Sequence, residues 1–206
     1  LKMHVLFYTF IFLLCFLLGT IQAPIPLIGL LLIVSMGGYM YVQISPILFS
    51  KDVKKSEKYL IKHQKNPMYQ LYYAIANNKD AEAETALAAF NAKYKNSYRQ
   101  ALLNTTYAVY KKDLQAAKEN VRAIKQASYR LYYEAFIAIE SKQLNKAREI
   151  ADQLPQGWMK ESIYAEIFEK QGNKTLAIEH AKKAFEQTRG LQRYMIYKNN
   201  ESYFAS

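Results

Sequence analysis

The chain carries one cysteine, Cys15, in 206 residues, so it forms no internal disulfide and offers no cysteine cluster to a metal. Histidine is nearly as scarce. His4, His63 and His180 stand apart, and none has a second His or Cys at ligand spacing. No glycine-rich phosphate cradle, nucleophile elbow or framed carboxylate pair occurs. Glu166 and Glu169 share a helical face, as solvated helices commonly do. These absences argue against metal, hydrolytic and phosphoryl-transfer chemistry. The expectation is a chain that is not an enzyme, with no catalytic residue, metal site or cofactor.

Charge is missing from one long stretch, between Lys2 and Lys51. It contains two apolar runs, 5–21 and 27–44, each close to the roughly 20 residues that a hydrocarbon core of about 30 Å requires. Pro24 and Pro26 interrupt the helix between them and predict a hairpin. A cleaved leader is the rival reading of the first run; its length, the proline after Ala23 and the second run directly behind it argue against cleavage. Large leucines before Cys15 disfavour a lipid attachment there, leaving a membrane-buried thiol.

Lys51, Lys54, Lys55, Lys58, Lys62 and Lys65 crowd the exit of the second run, Lys2 flanks the first, and the connector is uncharged. Positive residues at span ends stay in the cytoplasm. The expected organisation is a two-span transmembrane hairpin (1–46), a basic juxtamembrane linker helix (47–66) and a helical domain (67–206). Both termini are placed in the cytoplasm, at a bacterial plasma membrane. Gly29, Gly37 and Gly38 are small positions among bulky neighbours in the second run, and Gly29 and Gly37 lie two turns apart on one face. They suit packing either against the first span or against a second copy of the chain.

After residue 50 only Pro67 and Pro155 interrupt, while Ala, Leu, Lys, Glu and Gln dominate, which predicts an all-α domain. Leu114, Ala117, Val121 and Ile124 form one helical face; Leu144, Ala147, Ile150, Ala151 and Leu154 form another. Ala117, Ala147 and Ala177 recur every 30 residues, each after a polar turn. The string Tyr69-Gln70-Leu71-Tyr72-Tyr73 returns as Tyr129-Arg130-Leu131-Tyr132-Tyr133. Such self-similarity predicts stacked helix pairs. They fall at about 68–95, 97–127, 128–155 and 158–189, with a short last helix at 191–199.

The segment from Gly172 to Phe185, with its turn, Ala177, Ile178 and the Ala184-Phe185 pair, resembles the second half of a tetratricopeptide repeat. Tyr164, Ala165 and Phe168 match the packing positions of that repeat's first helix. The units are shorter than the usual length of about 34, and the consensus Trp and Gly of the first helix are absent apart from Trp158 nearby. The resemblance implies an α-solenoid of about four helix pairs. It further implies a concave groove lined by first helices, with Tyr72, Arg99, Thr106, Tyr129, Tyr132 and Phe136 on or near it. Tyrosine, at 18 residues, is the compositional outlier. Aromatics and arginine suit peptide capture, whereas interhelix packing explains the same residues without any partner.

The net charge of +11 is densest beside the apolar runs, where Lys51, Lys54, Lys55, Lys58 and Lys62 suit anionic lipid headgroups. No nucleic-acid partner is expected. The function expected is a membrane-anchored adaptor that recruits a protein partner. The alternatives are an accessory subunit of a membrane enzyme or transporter complex and a sensor of a peptide or ligand. The lysine asymmetry predicts that single cysteines at Gln22 and Ser206, in a Cys15→Ala background, react differently with an impermeant thiol reagent on intact cells. Gln22 is labelled and Ser206 is not; the reverse pattern overturns the topology.

Overall fold

A proline sets the first boundary. In the computed structural model α1 covers Lys2–Thr20 and α2 covers Ile25–Leu48, with Gln22 at φ 53° and Pro24 capping α2 between them. Residues 2–204 are described; the side chains of Lys2 and His4, and Ser206 entirely, lie outside the described residues. Among the described residues, α2 alone is long and apolar enough to cross a membrane. Where two spans were expected, the apolar part of α1, Val5–Thr20, is shorter; at 1.5 Å per residue it reaches about 24 Å. The two helices touch, and the Phe7 ring stacks on Tyr39 at 3.9 Å. Their outer faces are bare, with Ile25 84% and Ile33 71% exposed.

The remaining described residues are helical and contain no strand. α3 (Val53–Lys62) follows Asp52, whose carboxylate accepts from the Lys54 and Lys55 amides. Next come α4 (Pro67–Ala76) and α5 (Asp80–Lys93), α6 (Ser97–Tyr110) and α7 (Leu114–Val121), α8 (Ala127–Glu140) and α9 (Leu144–Gln153), and α10 (Trp158–Lys170) and α11 (Lys174–Glu186). α12 (Gly190–Asn199) and the single turn α13 (Glu201–Phe204) close the chain.

The 30-residue period has a backbone cause. α6, α8 and α10 each end on a left-handed residue, namely Lys112 at φ 57°, Lys142 at 60° and Gly172 at 77°. Asn78, at φ 54°, ends α4 in the same way. In each case the following N–H reaches back to the helix, as Asp113 N to Ala108 O at 2.9 Å and Gln143 N to Ala138 O at 2.8 Å. This Schellman closure reverses the chain within three residues and lays the second helix along the first. Alanines allow the close approach: Ala83, Ala117, Ala147 and Ala177 are all fully buried.

Among the described residues, apolar packing forms four clusters rather than one core. Leu71, Phe90 and Leu103 centre the first, Ala117, Val121 and Ile137 the second, and Ile139, Ile163 and Ile167 the third. The fourth joins the two ends of the domain through Ile47 of α2, Leu60 of α3 and Tyr194 of α12. Thus α12 packs on α11 and also on α2, α3 and α4. The row of pairs returns to its own beginning, and α3 is part of that junction.

Gly190 makes the junction possible. Its N–H donates to the Ser50 carbonyl at 2.7 Å, and its φ is 56°. A Cβ there would overlap the Ile47 carbonyl and stand 2.8 Å from the Leu48 nitrogen. Both the conformation and the space therefore require glycine. Gly190→Ala is expected to lower stability by about 1–3 kcal/mol from backbone strain alone. Thermal unfolding of the full chain measures it; an unchanged melting temperature would show that the contact is not needed.

Candidate aromatic cavity

Helical periodicity decides what the first helix of each pair presents inward. On α8, Tyr129, Tyr132, Phe136 and Glu140 recur at steps of three or four, with Tyr133 beside Tyr132, and Trp158, Ser162, Glu166 and Glu169 recur likewise on α10. With Tyr72 of α4, Thr106 of α6 and Gln192 and Asn199 of α12, they line one cavity of about 720 Å³. Ile47 and Leu48, at the end of α2, form part of its wall. Closure by α12 converts an open inner face into this space.

Tyr132 stands at the centre of the aromatic wall. Its ring meets Tyr133 at 5.3 Å, Phe136 at 4.9 Å and Trp158 at 5.3 Å, each edge to face. The Tyr133 hydroxyl lies 2.6 Å from Thr106 Oγ1, and Gln192 donates to the Tyr129 hydroxyl at 3.3 Å. Burial pushes the phenols of Tyr72 and Tyr132 well above their ordinary value and that of Tyr133 up to about 12. They stay neutral at physiological pH and act as hydrogen-bonding groups on an apolar wall.

One rim of the cavity is acidic. Glu140 pairs with Lys170 at 2.9 Å, while Asn199 donates to Glu166 at 3.2 Å. Burial raises the Glu166 carboxyl above the usual carboxylate range; the charges of Glu169 and Glu140 add to the rise, and Asn199 and Lys170 oppose it. Glu166 is thus half-buried against the cavity instead of on a solvated face.

Of the six residues expected at a groove, five come together here: Tyr72, Thr106, Tyr129, Tyr132 and Phe136. Arg99 does not. It borders a separate recess of about 410 Å³ with Asn66, Phe90 and Tyr94, which Tyr72 also touches. Arg99 is seven residues before Thr106 on α6, about 10 Å along the axis, so it shares the face but not the depth. Lys51, Lys54, Lys55, Lys58 and Lys62 are exposed at the end of α2 and along α3. Among the described residues, a Cβ on Gly29, Gly37 or Gly38 would meet nothing within 4 Å, so there is open space beside these glycines. Among the described residues no His, Cys, Asp and Glu cluster is arranged to hold a metal.

No protein-family model, curated protein or solved structure matches the chain. The cavity's contribution from α12 and α2 had no local signal in the sequence. Trp158, Ser162 and Glu166 did have one, because their four-residue spacing on α10 repeats that of Tyr132, Phe136 and Glu140 on α8.

The raised Glu166 carboxyl has a consequence for stability. The folded chain holds this proton more tightly than the unfolded chain, so stability is highest below the unfolded value near 4.5 and falls as pH rises through the folded one. Glu166→Gln removes that loss. The variant is expected to melt higher than the parent at neutral pH and equally at about pH 4; a lower neutral melting temperature would contradict the assignment.

Proposed function

We propose that the chain is a membrane-anchored adaptor, built on tetratricopeptide-like repeats, whose inner cavity holds a segment of a protein partner at the cytoplasmic face. The observation that carries this reading is the aromatic cavity of about 720 Å³ beside the end of α2, within the roughly 300–1,000 Å³ range of binding clefts and cavities. Confinement to the membrane raises the effective concentration of partner and adaptor without further contacts.

Both apolar helices belong in the bilayer on this reading. Leaving large side chains such as Ile25 and Ile33 in water would cost about 1.5–3 kcal/mol each, and lipid removes that cost. The exposed lysines of α3 then lie at the inner leaflet, where each gains about 1 kcal/mol from anionic headgroups. A second reading, an accessory subunit of a membrane complex, is favoured by the open face at Gly29, Gly37 and Gly38, which suits close approach by a foreign span.

A photo-crosslinking residue placed at Gln192, which lines the cavity, is compared in native membranes with one at Lys182 on the outer face of α11. Gln192 is expected to yield a discrete protein adduct that Lys182 does not, and Thr106→Trp, filling the cavity, should abolish it. Identical adducts at both positions, or adducts to lipid alone, would overturn the adaptor reading. Adducts confined to a crosslinker at Gly37 favour the accessory subunit.

A further inference from the structure

The sign of the charge inside the cavity opposes that of the chain. Net charge is +11, yet of the three acids and three bases in the lining the half-buried ones are Glu140 and Glu166, whereas Glu169, Lys112, Lys170 and Arg189 are exposed. Lys170 pairs with Glu140, and the hydrogen bond of Glu166 is to the neutral amide of Asn199. Glu166 therefore offers a carboxylate without a bonded cation, in surroundings that penalise its charge.

The aromatic wall adjoins it. Tyr132 lies edge-on to Phe136 and Trp158, and Ser162, one turn before Glu166 on α10, faces the same space. Ring faces beside a desolvated carboxylate are the arrangement that attracts an ammonium or guanidinium group. An acyl chain suits this space poorly, because tyrosine hydroxyls, Gln192, Asn199 and the carboxylates would lose water without new partners.

The position of the cavity narrows the source of the cation. Ile47 and Leu48 border it at the end of α2, next to the expected inner leaflet, where the flanks of membrane proteins concentrate Lys and Arg. We propose that the cavity takes a lysine- or arginine-bearing extended segment leaving the membrane beside α2, its cation held between Glu166 and the wall of Tyr132, Phe136 and Trp158. This rests on the adaptor reading and specifies the chemistry of its partner.

Trp158 is the only tryptophan in the chain and lines the cavity, so its emission reports occupancy. The full chain in neutral dodecyl maltoside micelles is titrated with a capped Ala-Lys-Ala-Lys-Ala peptide and with its glutamate counterpart. A saturable emission change is expected with the lysine peptide and none with the glutamate peptide, since the overall charge of +11 disfavours any non-specific uptake of lysine. Glu166→Gln should weaken binding about ten-fold or more, as loss of a charge-assisted contact implies. Glu179→Gln, on an exposed pair with Lys183, should leave it unchanged.

Equal response to both peptides, no response to either, or full binding by Glu166→Gln overturns the inference. If Gln192 crosslinks a protein while the peptides bind without regard to charge, the adaptor reading stands and the cation site falls. Lysine-selective binding with no Gln192 adduct retains the cation site and overturns the partner reading alone.

Discussion

One backbone-to-backbone contact governs the shape of the helical domain: the seating of Gly190 on the Ile47 carbonyl, with its N–H bonded to Ser50. The helix pairs before it form a chain of local contacts, each pair touching its neighbours through its own small cluster. Such a row has no intrinsic reason to close. Closure requires the start of α12 to meet the end of α2 backbone to backbone, and a side chain at residue 190 would prevent it. Tyr194 then fills the gap, fully buried, its hydroxyl accepting from Asn77 at 2.8 Å and donating to Glu57 at 3.4 Å. Polar groups from α3, α4 and α12 thereby fix the angle at which the ends meet, because a misaligned closure would leave a buried phenol unsatisfied.

Closure also sorts the charges. Lysines on α3 remain outside, where they oppose only one another and solvent, while carboxylates of α8 and α10 are drawn against the enclosed space. Desolvation of Glu166 costs stability at neutral pH, and the fold tolerates it because Asn199 supplies a hydrogen bond from the closing helix. A surface built only for packing would gain by placing an apolar residue there. A carboxylate at a position that penalises its charge is what the proposed cation site requires.

Much of this was legible in the sequence. Alanine spacing at 117, 147 and 177 located the helix pairs, because small residues are what close interhelix contact requires, and the polar turns marked the reversals that Lys112, Lys142 and Gly172 make. The inward face of α8 was equally readable from Tyr129, Tyr132 and Phe136. Arg99 was misplaced because a helical wheel gives direction and ignores position along the axis. Glu166 looked solvated because an isolated amphipathic helix cannot reveal that a helix 33 residues later, carrying Asn199, covers it. The role of Gly190 was hidden for the same reason: a glycine at a helix start is unremarkable until the partner backbone, about 140 residues earlier, is known.

The tyrosines had two competing explanations, interhelix packing and partner capture, and the geometry makes them compatible. Tyr129 and Tyr133 pack against the cluster of Ala117 and Ile137, and Tyr132 and Phe136 against that of Ile139 and Ile163, yet all four also line the cavity. A ring of this size reaches both, touching its packing cluster with one part of its surface and the cavity with another. The hydroxyl is what separates the functions. A ring that only packed would be served as well by phenylalanine, since burying a phenol demands a hydrogen-bond partner that Phe does not need. At Tyr133 that partner is Thr106 and at Tyr129 it is Gln192, so residues from α6 and α12 are committed to keeping these hydroxyls oriented along the cavity wall. Packing therefore holds the rings, and the polar contacts between them determine what kind of surface the rings present.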